Sequence, residues 1–152
     1  MKHSPPRYDL HASPGYHATL AARVYERRLE EGLRGIGLSR IGWCILLAVV
    51  EEGLRQPSEI AAFIGIGRSV ASRALGQLER EGLIARQSGT GDRRTTEVRA
   101  TPEGLIRLEA ALPVGQENCA HFSARLRAEE RETLIALLDR LRAGDARPLA
   151  RF

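Results

Sequence analysis

Two short stretches of the sequence set arginine beside small polar residues, a combination that can bind phosphate groups and the edges of bases. The first, RSVASRALGQ, covers residues 68–77, and the second, GDRR, covers residues 91–94 at the end of a run of serine, glycine and threonine. A guanidinium is planar and permanently charged, and it donates paired hydrogen bonds to a phosphate or to guanine. For residues 68–77 alone, an ordinary helix with arginines on a solvated face is the alternative interpretation.

The composition is that of an ordinary globular protein with a basic surplus. The chain has 152 residues, of which 43% are hydrophobic and 28% charged, so it is long enough for one domain with a core. The formal net charge is +4, and Lys2 is the only lysine, so arginine supplies nearly all of the positive charge. This surplus favours an acidic partner such as nucleic acid, although a genome-wide bias in base composition would also enrich arginine.

The sequence lacks the usual signals for catalysis, metal binding and membrane insertion. It contains no nucleophile motif, no phosphate loop and no His-Glu-x-x-His pattern, and its cysteine and histidine spacing does not suit zinc. The apolar run at 44–50 is too short to cross a bilayer, and no signal peptide opens the chain. We therefore predict a cytoplasmic protein that is not an enzyme and that holds no metal or cofactor.

Helical periodicity and cap residues divide the chain into elements that must position the arginines. Residues 1–15 lack a period and are interpreted as a flexible arm. A first helix is predicted over residues 16–34, and Ser39 is predicted to cap a second, buried helix that ends at Glu52. A third, short helix begins at Pro57, because proline suits the first helical turn.

The third helix and a fourth helix over residues 68–82 are separated by a glycine turn at 65–67, which is the arrangement of a helix-turn-helix. The short side chains of Ser69, Ala71 and Ser72 would let the fourth helix approach the floor of the DNA major groove. Its predicted buried positions are Val70, Ala74, Leu75 and Leu78. Its predicted DNA-binding residues are Arg68, Ser69, Ser72, Arg73 and Gln77.

A hairpin is predicted directly after the fourth helix. Residues 83–87 and 93–100 have strand patterns and are joined by the turn SGTGD. In the second strand, the residues that alternate with Thr95, Glu97 and Arg99 are Thr96 and Val98, which we expect to anchor the hairpin against the domain. A hairpin attached to a helix-turn-helix is a wing, and its presence favours DNA binding over a merely solvated helix face.

The C-terminal part is predicted to form two further helices. The segment 102–126 has an apolar face and is interrupted at Pro113, where we expect a kink. The last helix, over residues 128–142, carries an apolar stripe formed by Leu134, Leu137, Leu138 and Leu141. This stripe needs a partner, which is either a second chain or another part of the same chain.

The order and spacing of these pieces resemble the MarR-type winged-helix transcriptional regulators, from about Leu20 to Leu141. The resemblance rests on the stretches PSEIAAFIGIGRSVASRALGQLEREGLIAR, GDRRTTEVRATPEG and LRAEERETLIALLDRL. It implies a mainly α fold with a small β-hairpin wing. The implied parts are a winged helix-turn-helix at 39–101, dimerisation helices at 16–38 and 102–142, and a C-terminal tail at 143–152.

The same resemblance assigns roles within the wing. Asp92 would brace it, Arg94 would enter the DNA minor groove, and Arg93 would lie between them in the DNA-binding tip. The implied protein is a homodimer that represses transcription from a pseudo-palindromic operator on double-stranded DNA. One departure is Gly67, which stands where many relatives have a serine or aspartate cap on the recognition helix.

Similar proteins often bind a small, commonly aromatic and anionic effector between the dimer helices and the DNA-binding part. His17, Arg40 and Trp43 are the candidates for such a site, because an indole can stack on a ring and a guanidinium can pair with a carboxylate. A core tryptophan and a surface arginine are the alternative interpretation of the last two residues.

Two other functions stay open at this point. One is redox sensing by a cysteine, and the other is a winged helix that contacts only proteins. Cys44 lies inside an apolar run, where burial should raise its pKa and lower its reactivity. Cys44 and Cys119 are predicted to be buried or inert thiols rather than a disulfide.

Overall fold

The computed structural model describes residues 8–88 and 96–144. These residues form six α-helices, one 3-10 turn and a two-stranded antiparallel hairpin, which confirms the predicted fold class. In chain order the elements are the 3-10 turn (Leu10–Ala12), α1 (Pro14–Arg34), α2 (Arg40–Val50), α3 (Pro57–Ile64), α4 (Arg68–Arg80), β1 (Ile84–Ser88), β2 (Thr96–Ala100), α5 (Pro102–Ser123) and α6 (Ala128–Arg142). No helix within the described ranges is long and apolar enough to cross a membrane.

Residues 9–13 form a capped turn within the segment that was predicted as a flexible arm. The Asp9 carboxylate accepts two backbone hydrogen bonds at 3.0 and 3.3 Å. The Ser13 hydroxyl caps α1 by accepting a hydrogen bond from the Tyr16 N–H at 3.4 Å. Helix α1 therefore begins at Pro14, two residues earlier than predicted, because proline is favoured in the first turn of a helix.

Helix α2 lies in the centre of the core, as its apolar sequence predicts. The Ser39 hydroxyl accepts a hydrogen bond from the Gly42 N–H at 3.0 Å and fixes the start of the helix. The helix ends at Val50, two residues before the predicted end. The core consists of fully buried side chains from α2 itself and from other segments between α1 and β2. The largest of these are Leu33, Ile45, Leu46, Val49, Ile60, Leu75, Leu83, Ile84 and Val98.

Helices α3 and α4 form the predicted helix-turn-helix. Pro57 occupies the first turn of α3, and the Gln56 N–H donates to the Glu59 carboxylate at 3.4 Å. Helix α3 ends at Gly65, whose φ of 76° lies in the left-handed region that favours glycine. Helix α4 follows Gly67, which has no side chain with which to cap it.

The hairpin is attached to the domain through its second strand. Strands β1 and β2 pair with Arg86 opposite Val98, and the Val98 N–H also donates to the Arg55 carbonyl at 2.8 Å. Val98 is buried, whereas Thr96, the other predicted anchor, is exposed. Side chains two residues apart share one face of a strand, so the difference arises because the core ends before it reaches Thr96.

A tight corner fastens the start of α5 to the end of α4. The Thr101 hydroxyl accepts a hydrogen bond from the Gly104 N–H at 3.1 Å and donates one to the Gly82 carbonyl at 2.6 Å. The Thr101 N–H donates to the Leu83 carbonyl at 3.1 Å. Gly104 lies against the backbone of Leu83, with no room for a side chain between them.

Helix α5 runs without a break through Pro113, so the predicted interruption is wrong. Proline removes one N–H from the helical ladder, but the helix is held from outside directly after it. Val114 packs against Gly32 of α1, and Gly115 packs against the indole of Trp43 on α2. These contacts join segments far apart in sequence and are therefore invisible in a local pattern.

Apolar side chains remain exposed on α1 and α6. Helix α6 buries none of its residues against the described residues, 8–88 and 96–144, so within these ranges its stripe has no packing partner. Leu29 and Leu33 of α1 are buried, but Leu20 and Val24 of the same helix are exposed. The apolar side chains of α6 are 38–61% exposed and comprise Leu134, Ile135, Leu137, Leu138 and Leu141.

Candidate nucleic-acid interface

Helix α4 is amphipathic, and its polar side carries every residue predicted there to contact DNA. Those exposed residues are Arg68, Ser69, Ser72, Arg73 and Gln77. The opposite side buries Leu75 and Leu78 in the core, whereas Val70 and Ala74, also predicted as buried, are only half-buried. The expectation that Ala71 faces a DNA groove is wrong, because Ala71 is 2% exposed and lies one turn before Leu75 on the buried side.

The arginines at the start of α4 project into solvent with their charge uncompensated by neighbours. Within residues 8–88 and 96–144, no ion pair involves Arg68 or Arg73. Gln77 differs, because its amide donates to the Glu81 carboxylate at 2.9 Å one turn away. The N-terminal half of α4 therefore presents two arginines with free donors within the described residues.

An open groove of about 470 Å³ runs between the start of α3, the polar side of α4 and the hairpin. Its polar lining consists of Gln56, Ser58, Arg68, Ser72, Arg86 and Thr96. The sequence analysis missed Gln56, Ser58 and Arg86. Ser58 follows the proline that starts α3, and strand alternation would have placed Arg86 opposite Val98. Both signals were present, but neither indicates that Ser58 and Arg86 share a groove.

The tip of the wing lies outside the described residues. Asp92, Arg93 and Arg94 fall between the end of β1 and the start of β2, within 89–95. Their assigned roles, bracing for Asp92 and minor-groove contact for Arg94, stay predictions.

Each of the three residues predicted to bind an effector has different partners in the structure. The His17 ring Nε2 donates to the His11 carbonyl at 2.7 Å on the first turn of α1. Arg40 pairs with Glu26 at 3.3 Å and is partly exposed. Trp43 packs on α5 so closely that an alanine Cβ at position 115 would lie 2.6 Å from its Cζ2 atom, which is the packing expected of a core tryptophan.

The two cysteines have different surroundings. Cys44 is half-buried, and desolvation raises the pKa of its thiol, in the predicted direction. Cys119 is exposed on α5, so of the two predicted alternatives, buried or inert, burial does not apply to this residue, and both thiols are free as predicted. The exposed position arises because α5 turns this side away from α1 and α2.

We expect thiol reagents to separate these cysteines. Cys119 should be alkylated in the folded protein near neutral pH, whereas Cys44 should react slowly until the protein unfolds, because the thiolate is the nucleophile and burial disfavours it. The reactivity of Cys44 should rise with pH, since its raised pKa keeps the thiol protonated at neutrality. Mass spectrometry of peptides after timed alkylation measures both rates, and equal rates at neutral pH would contradict the assignment.

The chain matches known proteins along the parts described above. Residues 36–95 match the model of the MarR family. The HTH-type transcriptional regulator YdgJ of Bacillus subtilis is 32% identical over 112 residues, which span 74% of this chain and 67% of that protein.

Two solved structures share the fold. A mutant MarR from Escherichia coli complexed with operator DNA matches with a TM-score of 0.77 and 23% identity over 84% of this chain and 91% of that one. BpsR of Bordetella bronchiseptica, whose DNA binding is regulated by 6-hydroxynicotinic acid, matches with a TM-score of 0.84 and 18% identity over 91% and 99%. These two structures show the fold, and the family model and the regulator matched over two thirds of its length lead to one conclusion: this chain belongs to the MarR family and is a DNA-binding transcriptional regulator.

Proposed function

We propose that the protein is a homodimeric repressor that reads a pseudo-palindromic operator with the N-terminal half of α4. The observation that carries this proposal is the row of exposed polar side chains on α4, headed by Arg68 and Arg73 without ion-pair partners in the described ranges. Short residues at positions 69 and 72 allow the backbone to come near the base edges, and the arginines reach guanine or phosphate. Gln77 would contribute only after exchanging its hydrogen bond to Glu81.

The wing is proposed to add a contact in the minor groove. The minor groove of DNA has its strongest negative potential where it is narrow. An inserted guanidinium is attracted there by shape and charge rather than by base identity. Of the two neighbouring arginines, the family's Asp-x-Arg spacing favours Arg94 over Arg93. Asp92 would hold the wing in the required orientation.

A second copy of the chain is proposed to cover the exposed apolar surface of α6 and α1. A helix with such a stripe is stabilised only when another surface removes it from water. A two-fold axis through this surface would present two α4 helices to half-sites about 34–36 Å apart on one side of the duplex. The site of action is then the cytoplasm, where the DNA lies, and catalysis has no part in the proposal.

A small aromatic and anionic effector is proposed to alter DNA affinity. Regulation of BpsR by 6-hydroxynicotinic acid supports ligand control within this fold. Of the three predicted residues, Arg40 combines a positive charge with partial exposure, so it is the one retained in the proposal. Trp43 is engaged in packing, and the raised pKa of Cys44 disfavours redox sensing through that thiol.

Alanine substitutions on α4 test DNA recognition. Arg73→Ala and Arg68→Ala should each weaken binding to the intergenic DNA beside the gene by about 1–3 kcal/mol if a base contact is lost, or lower the salt slope by about one unit if a phosphate contact is lost. Fluorescence anisotropy over a series of salt concentrations measures both quantities. Arg80→Ala is the matched control, because Arg80 lies at the other end of α4, about 18 Å along the helix from Arg68 and about 10 Å from Arg73.

Three outcomes would count against the proposal. These are a wild-type affinity that does not change with salt, an Arg73→Ala variant that binds like the wild type, and an Arg80→Ala variant that loses as much affinity as Arg73→Ala. The first would indicate a winged helix used only for protein contact.

A further inference from the structure

An ion pair beside the groove joins α4, the recognition helix, to the hairpin. The Nε atom of Arg86 on β1 donates to the Glu79 Oε2 atom at 2.8 Å, and the Nη2 atom of Arg86 donates to the same oxygen. The two side chains are 34% and 38% exposed, so the pair is open to solvent and to an approaching ligand. The Arg86 guanidinium lowers the pKa of the Glu79 carboxyl, which therefore stays charged at neutral pH.

Arg86 is at the same time part of the groove wall. The lining combines two guanidinium groups and three hydroxyl groups with an apolar floor, and none of the described residues that line it carries a carboxylate. These residues are Arg68, Arg86, Ser58, Ser72 and Thr96, with Pro57, Ala71 and Leu75 as the apolar part. Cations and hydroxyl donors on several sides of an open channel are the chemistry that recognises a phosphodiester backbone, because each phosphate accepts charge-assisted hydrogen bonds. A channel open along its length suits a strand rather than an enclosed small molecule.

Glu79 is placed to compete with such a strand for Arg86. A solvent-exposed ion pair contributes little to stability because water screens it and both side chains lose freedom. A phosphate that enters the groove offers Arg86 an equivalent partner, so the exchange is nearly balanced.

We propose that this groove seats the phosphate backbone of one DNA strand and that Arg86 contacts this backbone. In the free protein, Glu79 holds Arg86 and thereby limits the affinity for DNA of any sequence. The proposal rests on the proposed mode of DNA binding and adds a contact and a restraint to it. Glu79 is a positioning residue, because it acts through Arg86 and not through the DNA.

Substitutions that remove one charge test the restraint on a probe of defined chemistry, a fluorescein-labelled mixed-sequence duplex about three helical turns long. Glu79→Gln should bind it about two- to five-fold more tightly than the wild type, since the competing charge is gone. Arg86→Gln should bind more weakly, with a salt slope lower by about 0.9, which corresponds to one phosphate contact. The double variant should bind like Arg86→Gln alone, because Glu79 acts only through Arg86.

Glu97→Gln is the matched control, because it removes one negative charge just as Glu79→Gln does. Glu97 pairs with Arg99 at 2.9 Å on β2, and neither residue lines the groove. A Glu79→Gln variant that binds no more tightly than Glu97→Gln, or an Arg86→Gln variant with the wild-type salt slope, would overturn the proposal. A wild-type protein without salt-dependent DNA binding would instead overturn the proposed function, so the two failures are distinguishable.

Discussion

Replacing Gly104 by alanine is expected to lower the free energy of unfolding by at least about 3 kcal/mol. The added Cβ would overlap the Leu83 carbonyl oxygen and lie 3.0 Å from its carbonyl carbon. Both obstacles are backbone atoms, which have no rotamer to change. The same carbonyl accepts the Thr101 N–H, so moving it aside would also break the hydrogen bond that starts α5. Chemical denaturation followed by circular dichroism measures the loss.

Gly76→Ala is the matched control for this prediction. A Cβ at position 76 in α4 would lie 3.5 Å from the nearest side-chain atom, on Arg80, which is an ordinary contact. Alanine is favoured over glycine inside a helix by about 0.5–1 kcal/mol, so this variant should be more stable than the wild type. If Gly104→Ala unfolds at the wild-type denaturant concentration, the corner is looser than its geometry indicates.

Replacing Leu137 by glutamate is expected to dissociate the proposed dimer. Burial of one leucine side chain contributes about 1.5–3 kcal/mol, and a two-fold axis presents each substitution twice. The dissociation constant of the dimer should therefore rise by about 100-fold or more. Analytical ultracentrifugation over a range of protein concentrations measures the change, and operator affinity should fall with it because one half-site alone binds weakly.

Ala136→Glu introduces the same charge on the other side of α6. Position 136 is exposed and points away from the stripe that contains Leu137, so the dimer should persist in this variant. Circular dichroism should show that both variants keep the helical content of the wild type. Equal dissociation by both variants, or a wild type that is monomeric at all concentrations, would falsify the assignment of this face to a second copy.

Local signals in the sequence were sufficient for much of the DNA-binding part. Ser39 caps α2 and Pro57 starts α3 as predicted, because caps and first-turn prolines act within a few residues of their own position. The polar side of α4 was also predictable, since helical spacing alone separates Arg68 and Arg73 from the buried side. The resemblance to a known family supplied the wing roles and the dimer, which spacing does not contain.

The remaining features depend on contacts between distant segments. Ala71 was assigned to the DNA side for its small size, but it lies on the buried side of α4. Pro113 does not interrupt α5, because Val114 and Gly115 are held by other helices. Arg86 escaped notice because its role depends on how β1 lies along α4, and no pattern within one strand encodes that.

The corner between Gly82 and Gly104 couples the orientation of α5 to that of the recognition helix, α4. Three contacts cross it, two through Thr101 and one through the missing side chain of Gly104. A hinge would let each DNA-binding part swing freely, whereas this corner transmits any tilt of α5 to α4. In a dimer, the angle at which the long helices cross then sets the distance between the two α4 helices. Substitutions far from the DNA can therefore change which operator spacing the dimer binds.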